Sequence, residues 1–176
     1  MTSDLPGGRR GPGAGSEAEQ RARDALEASG VAFAITRHGP VASLEEAAVA
    51  RGVAPHQVLK TLVVRRGEDD FLFVLVPGGR AIAWARLRSF LGVNRLSMPD
   101  AEVARDVTGY VRGTITPFGA TTAWPVVADG SVVGAGPVSI GAGGPGVSAT
   151  LDADELVRVL GAQVADVTEP VPQSGG

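Results

Sequence analysis

The sequence contains no cysteine, which excludes disulfides, thiolate metal sites and a cysteine nucleophile. Its only histidines are His38 and His56, too few for a histidine-rich centre, so neither a metal nor a cofactor is expected. Aromatic residues make up 5% of a chain that is 44% hydrophobic, so the core has to be built from Val, Ala and Leu. No apolar run approaches the roughly 20 residues of a membrane helix, and the N-terminus lacks the apolar stretch of a signal peptide. The expectation is a soluble, cytoplasmic protein without a membrane partner. No G-x-S-x-G elbow is present, which leaves a serine hydrolase of that design unsupported.

Lysine is scarcest among the charged residues. Of sixteen Lys and Arg, only Lys60 is a lysine, and it lies in the β-like run Gln57-Val58-Leu59-Lys60-Thr61-Leu62-Val63-Val64. An ammonium is a compact point charge with three donors, whereas guanidinium is a wide planar fork. With period two, Lys60 shares a face with Val58, Leu62 and Val64, so its charge must reach an anion or a rim of water. Residue type alone leaves two readings: an anion-binding ammonium, or a strand-end lysine snorkelling to solvent in an arginine-biased chain.

Net charge is -3, which argues against a protein that grips nucleic acid by bulk electrostatics. Residues 56–112 carry nine basic and six acidic groups, whereas residues 113–176 carry one and six. An anionic ligand is therefore expected at the middle third, the alternative being a solvated surface with scattered arginine.

Glycine is abundant. Gly141-Ala142-Gly143-Gly144-Pro145-Gly146 matches G-x-G-x-x-G, but the strand-like Val147–Leu151 follows where a phosphate-binding fingerprint requires a helix. A flexible hairpin loop is the better reading. In Thr108-Gly109-Tyr110-Val111-Arg112-Gly113-Thr114-Ile115-Thr116-Pro117-Phe118-Gly119, the glycines and Pro117 allow successive N–H groups to point into one concavity. Such a loop serves either as a carbonyl clamp or as an ordinary turn between strands.

In chain order, 1–15 reads as a disordered Gly/Pro-rich lead. Capping boxes at Ser16/Glu19 and Ser43/Glu46 open helices closed by Gly30 and Gly52. Strands are expected over 31–36, 58–66 and 71–76, the last two as an antiparallel hairpin at the sheet centre. Helices are expected over 81–91 and from Pro99 to Thr108. Short strands are expected over 110–115, 125–128, 132–134, 138–140 and 147–151, then a helix over 153–160 and a strand over 163–167. The whole is a single mixed α/β domain over 16–168 with a largely antiparallel sheet, followed by a loose tail over 169–176.

Four pieces occur together in this order: Arg37-His38-Gly39-Pro40 with Ser43 and Glu45-Glu46-Ala47-Ala48, the Lys60 strand, Gly113-Thr114-Ile115-Thr116-Pro117, and Asp154-Glu155-Leu156-Val157 with Leu160-Gly161-Ala162. This combination resembles the YbaK family of aminoacyl-tRNA deacylases, related to the editing domain inserted in bacterial prolyl-tRNA synthetase. The resemblance covers about residues 20–168 and implies a curved, barrel-like mixed sheet flanked by helices. It implies hydrolysis of the ester between a wrong amino acid, cysteine or alanine first, and the acceptor end of tRNA-Pro.

By the same resemblance, Lys60 holds the phosphate or terminal ribose, and the backbone of Gly113, Thr114, Ile115, Thr116 and Pro117 polarises the ester carbonyl. Water attacks with help from the substrate's 2'-hydroxyl. Thr61 and Ser139 fall at substrate-pocket positions, and His38 falls in a family motif as a further substrate-binding residue, the alternative being that it only orients the Gly-Pro turn. Ser148 stands where some members have aspartate or histidine, which alters the pocket's polarity. With 176 residues leaving no room for a synthetase catalytic domain, a freestanding enzyme is expected, with a synthetase such as prolyl-tRNA synthetase as a partner. The rival reading is a noncatalytic module that binds a nucleotide or RNA end on the same scaffold.

Overall fold

The structure is a computed structural model that describes residues 16–172. The expected lead over 1–15 and the last four residues of the expected tail lie outside the described residues. Among those described, no helix is long and apolar enough to cross a membrane.

The early helices begin and end where side chains cap them. In α1 (Glu17–Ser29), Ser16 accepts from the Glu19 amide and Gly30 closes the helix in the left-handed region. In α2 (Leu44–Arg51), Ser43 accepts from Glu46 N–H, Glu46 reaches back to the Ala42 amide at 2.8 Å, and Gly52 closes. Each cap satisfies a donor that the helix itself leaves unpaired.

Three sheets follow. The largest has β2 (Leu59–Gly67), β3 (Asp70–Pro77), β5 (Val126–Asp129) and β8 (Gln163–Ala165) in the order β2-β3-β5-β8, the first pair antiparallel and the others parallel. The second has β1 (Ala34–Arg37), β7 (Val147–Asp152) and β6 (Pro137–Gly141) in the order β1-β7-β6, all antiparallel. The third pairs β4 (Arg80–Ile82) with β9 (Thr168–Pro170). The two larger sheets meet at a single parallel bridge between Val58 and Ser139, giving one curved surface rather than a closed barrel.

β3 is buried on both faces, as its unbroken apolar run requires. Phe71, Phe73 and Leu75 enter a core cluster with Val138, Ile140, Leu156 and Leu26. Leu72, Val74 and Val76 enter another with Ile82, Val127 and Val167, joined by Leu87 of α3 (Trp84–Leu91). β3 is thus interior to its sheet, while β2 sits at its edge, which corrects the expectation of a hairpin at the centre.

Other expectations also fail locally. Ala81 and Ile82 belong to β4, not to a helix, because they pair with Glu169 and Thr168; α3 starts only after Ala83 N–H has bonded to the Val167 carbonyl at 2.8 Å. Pro99 precedes α4 (Ala101–Thr108), whose N-cap is Asp100. Residues 132–134 form no strand: a 3-10 turn, Gly130–Val132, is held by the Asp129 carboxylate. The tail is anchored at its start, since Arg80 donates to the Thr168 hydroxyl and carbonyl and Asp129 accepts from the Val167 and Thr168 amides. Residues 110–115 form a turn-rich loop instead of a strand. The 141–146 hairpin loop is packed, not loose: a Cβ at Gly143 would lie 2.6 Å from the Ala18 carbonyl oxygen.

Candidate active site

β2 leaves its neighbour early. After the Val58–Ser139 bridge it pairs outward again only at Arg65, which exchanges both peptide hydrogen bonds with Ser97 at 2.7 and 3.1 Å. Into the gap opens a cavity of about 610 Å³, lined by β2 from Val58 to Val63, the start of α4, Gly113 and Ile115 of the glycine loop, and Gly141 of β6. Val58 accepts from Gly78 N–H on the β3 side, so by the two-residue period the peptide groups of Thr61 and Val63 turn away from β3 toward the cavity.

Lys60 stands on the wall of this cavity, exposed. Among the described residues no carboxylate pairs with it, nor with Arg51 and Arg112, which also line the cavity. The one lining carboxylate, Asp100, caps α4 by accepting from Val103 N–H at 2.9 Å. Three cations against one engaged carboxylate make this pocket anion-seeking, although the protein as a whole is acidic.

The glycine loop is shaped from beneath. Tyr110 is buried and donates its phenol to the Phe118 carbonyl at 2.7 Å, closing the loop at its base. Burial pushes this phenol's pKa up, with Arg21 opposing. Arg21 of α1 lies over the Tyr110 ring and donates to the Gly109 carbonyl at 2.6 Å. Gly113 takes φ +88°, a region other residues rarely adopt. Thr114 spends both its donors on the Val111 carbonyl, and its own carbonyl accepts from Gly143 at 3.1 Å. Thr116 is buried and receives the Phe118 amide. Among the described residues, no protein acceptor takes the N–H groups of Gly113, Ile115 or Thr116. Thr114 is therefore a fastener; of its neighbours, Gly113 and Ile115 line the cavity, whereas Thr116 lies buried outside it.

The remaining expected site residues divide by position. Thr61 lines the cavity, but its buried hydroxyl has no partner. Ser148 is fully buried opposite Gly141, also without a hydroxyl partner. His38 and Ser139 do not line the cavity; Arg51 links them to it, donating to His38 Nε2 and to Ser139 Oγ, both at 3.4 Å. His38 Nδ1 faces the Gly39 carbonyl at 2.7 Å, which makes Nδ1 the donor and Nε2 the acceptor. Pro117 accepts from the Ala120 amide at the far side of the loop. Arg51, Asp100 and Gly141 are site residues that sequence reasoning missed. Only for Gly141 was there a local signal, a glycine at a strand end; its Cβ would lie 3.1 Å from the Ile115 carbonyl. Among the described residues no cluster of His, Asp or Glu is placed to hold a metal.

The fold and the site together define a curved, mixed α/β domain whose cationic cavity opens between two sheets beside a glycine loop. A family model described as "Aminoacyl-tRNA editing domain" matches residues 38–159, and the chain belongs to that family. A proline–tRNA ligase of Heliobacterium modesticaldum is 29% identical over 137 residues, 76% of this chain and 24% of the ligase. A protein of Enterococcus faecalis described as "Putative Cys-tRNA(Pro)/Cys-tRNA(Cys) deacylase EbsC" is 22% identical over 72% of this chain and 77% of its own length. Among solved structures, "a putative trans-editing enzyme for prolyl tRNA synthetase" superposes with TM-score 0.79 at 28% identity, covering 89% of this chain and 99% of that one. The chain spans only 14% and 24% of the first two ligases it matches.

Proposed function

We propose that the protein is an aminoacyl-tRNA deacylase that acts in trans on misacylated tRNA, with cysteinyl- and alanyl-tRNA(Pro) as the first substrates to test. The observation that carries this reading is that Lys60, free of any carboxylate among the described residues, lines one cavity with Gly113 and Ile115, whose amides have no protein acceptor. Lys60 holds the phosphate or ribose of the acceptor end, with Arg112 beside it at the rim. The amides of Gly113 and Ile115 take the ester carbonyl oxygen and stabilise the negative charge that develops there, with Thr116 buried behind them.

The base is the substrate's own. Asp100 is committed to its helix cap, and His38 does not line the cavity and is engaged at both ring nitrogens. Water activated by the vicinal 2'-hydroxyl then cleaves the ester, releasing the amino acid and the tRNA. The names of the relatives favour tRNA-Pro and a prolyl-tRNA synthetase as the partner that supplies it. The decisive experiment is release of labelled amino acid from a panel of misacylated tRNAs, with and without the synthetase. Release from one member names the substrate. No release from any, with retained binding of the acceptor end, replaces this reading with a noncatalytic binding module.

A further inference from the structure

Arg51 is a cation without an anion. It lines the cavity, its partners are His38 and Ser139 at the long distance of 3.4 Å, and burial lowers its pKa from the ordinary arginine value. Around it the groups are rich in donors. Ser139, Ser148 and Thr150 share one face of the β6–β7 pair, since Ser139 is opposite Thr150 and Gly141 opposite Ser148. The hydroxyls of Ser148 and Thr150 are buried without partners. A partly buried guanidinium without an anion is costly unless an oxyanion completes it.

Position says which oxyanion. Ser139, touched by Arg51, and Gly141, against the Ile115 carbonyl, are two residues apart on the same face of β6. The strand repeat puts them about 7 Å apart, a separation that a short acyl group spans together with its hydrogen bonds at either end. Lys60 and Arg112 are exposed at the rim, whereas Arg51 is partly buried, so the acceptor end meets the rim and the acyl group reaches Arg51.

We propose that Arg51 selects the acyl group, and that the acyl group this cavity favours carries a side-chain carboxylate. The inference rests on the deacylase reading and departs from it in the amino acid. The guanidinium fork takes both carboxylate oxygens.

The test uses non-hydrolysable 3'-deoxy-3'-aspartylamido- and alanylamido-adenosine 5'-phosphate, titrated against wild type, Arg51→Gln and Arg51→Lys by calorimetry, with thermal melts as the folding control. Wild type is expected to prefer the aspartyl analogue by about tenfold or more; Gln abolishes that preference, and Lys, which keeps the charge but not the fork, retains part of it. Equal weakening of both analogues in Arg51→Gln would assign the guanidinium to the phosphate and overturn the inference. No preference in wild type would overturn it too, leaving Arg51 a strut between His38 and Ser139. Hydrolysis of aspartyl- and alanyl-tRNA separates the two claims. Selective binding without hydrolysis refutes the deacylase alone; hydrolysis without aspartyl preference refutes the role of Arg51 alone.

Discussion

Replacing Lys60 with alanine separates function from stability. The side chain is exposed and, among the described residues, bonds to no protein group, while its peptide stays in the ladder opposite Val76. Folding stability should therefore move by no more than about 0.5 kcal/mol. On a substrate phosphate the ammonium makes a charge-assisted hydrogen bond worth about 1.5–3 kcal/mol. At about 1.4 kcal/mol per decade, its loss lowers kcat/KM by roughly tenfold to somewhat over a hundredfold. Lys60→Arg keeps the charge but spreads it over a planar fork, and is expected to recover only part of the rate. The assay is single-turnover deacylation over a range of salt, because a contact at an open rim is screened within about 10 Å at 0.1 M. Wild type should lose rate with salt more steeply than the alanine variant. An alanine variant as active as wild type, with the same salt slope, would refute the assigned role.

Tyr110→Phe removes the donor that closes the glycine loop and leaves the Phe118 carbonyl unpaired; a loss of about 1–2 kcal/mol is expected in urea titrations, with a larger proportional loss of deacylation. A loop that keeps full activity in that variant would show the bond to be dispensable. Gly141→Ala sets a methyl 3.1 Å from the Ile115 carbonyl, so activity should fall more than melting temperature as the amides shift; unchanged kinetics would mean that the loop yields freely. Asp129 is buried, and burial raises its pKa, but hydrogen bonds from Ser131, Val167 and Thr168 outweigh this and hold it below the ordinary value. Because the folded pKa is depressed, its stabilisation is present above the unfolded value of about 3.9 and is lost as pH falls through the folded one. Asp129→Asn should cost roughly 1–3 kcal/mol at pH 7, with the gap to wild type narrowing below about pH 4. A gap independent of pH down to acid unfolding would contradict this.

What could be read in the sequence was what local chemistry decides. Ser16, Ser43 and Asp152 cap helices that glycines end, and the run from Phe71 to Val76 is buried on both faces because nothing in it tolerates water. Pairings between distant segments were not legible. β4 and β9 have three residues each and lie more than eighty positions apart. Ala81 and Ile82 look helical until Thr168 and Glu169 arrive beside them. Val111, Thr114 and Ile115 carry strand-like residue types, yet bonds from Thr114 to Val111 and from Tyr110 to Phe118 make a turn there. Arg51 was hidden for another reason: a cation in the last turn of a helix already has a local explanation in the helix dipole. Only the folded chain brings it to Ser139.

The cavity's position follows from this same distinction between local and distant pairing. Had β2 and β6 continued to pair beyond Val58 and Ser139, the two larger sheets would have merged into one open sheet, and the peptide groups of Thr61 and Val63 would be satisfied within the protein. Instead the glycine loop enters the seam and adds unpaired amides to an already open strand edge. Each unpaired group costs stability in the empty protein, and each is a contact that a ligand completes without rearrangement of the backbone. Lys60 can be varied without breaking the ladder, because its side chain is exposed on the cavity wall while its peptide pairs with Val76. On the proposed roles, a change in substrate is expected to come from side chains such as Arg51, while the backbone of the glycine loop stays as it is.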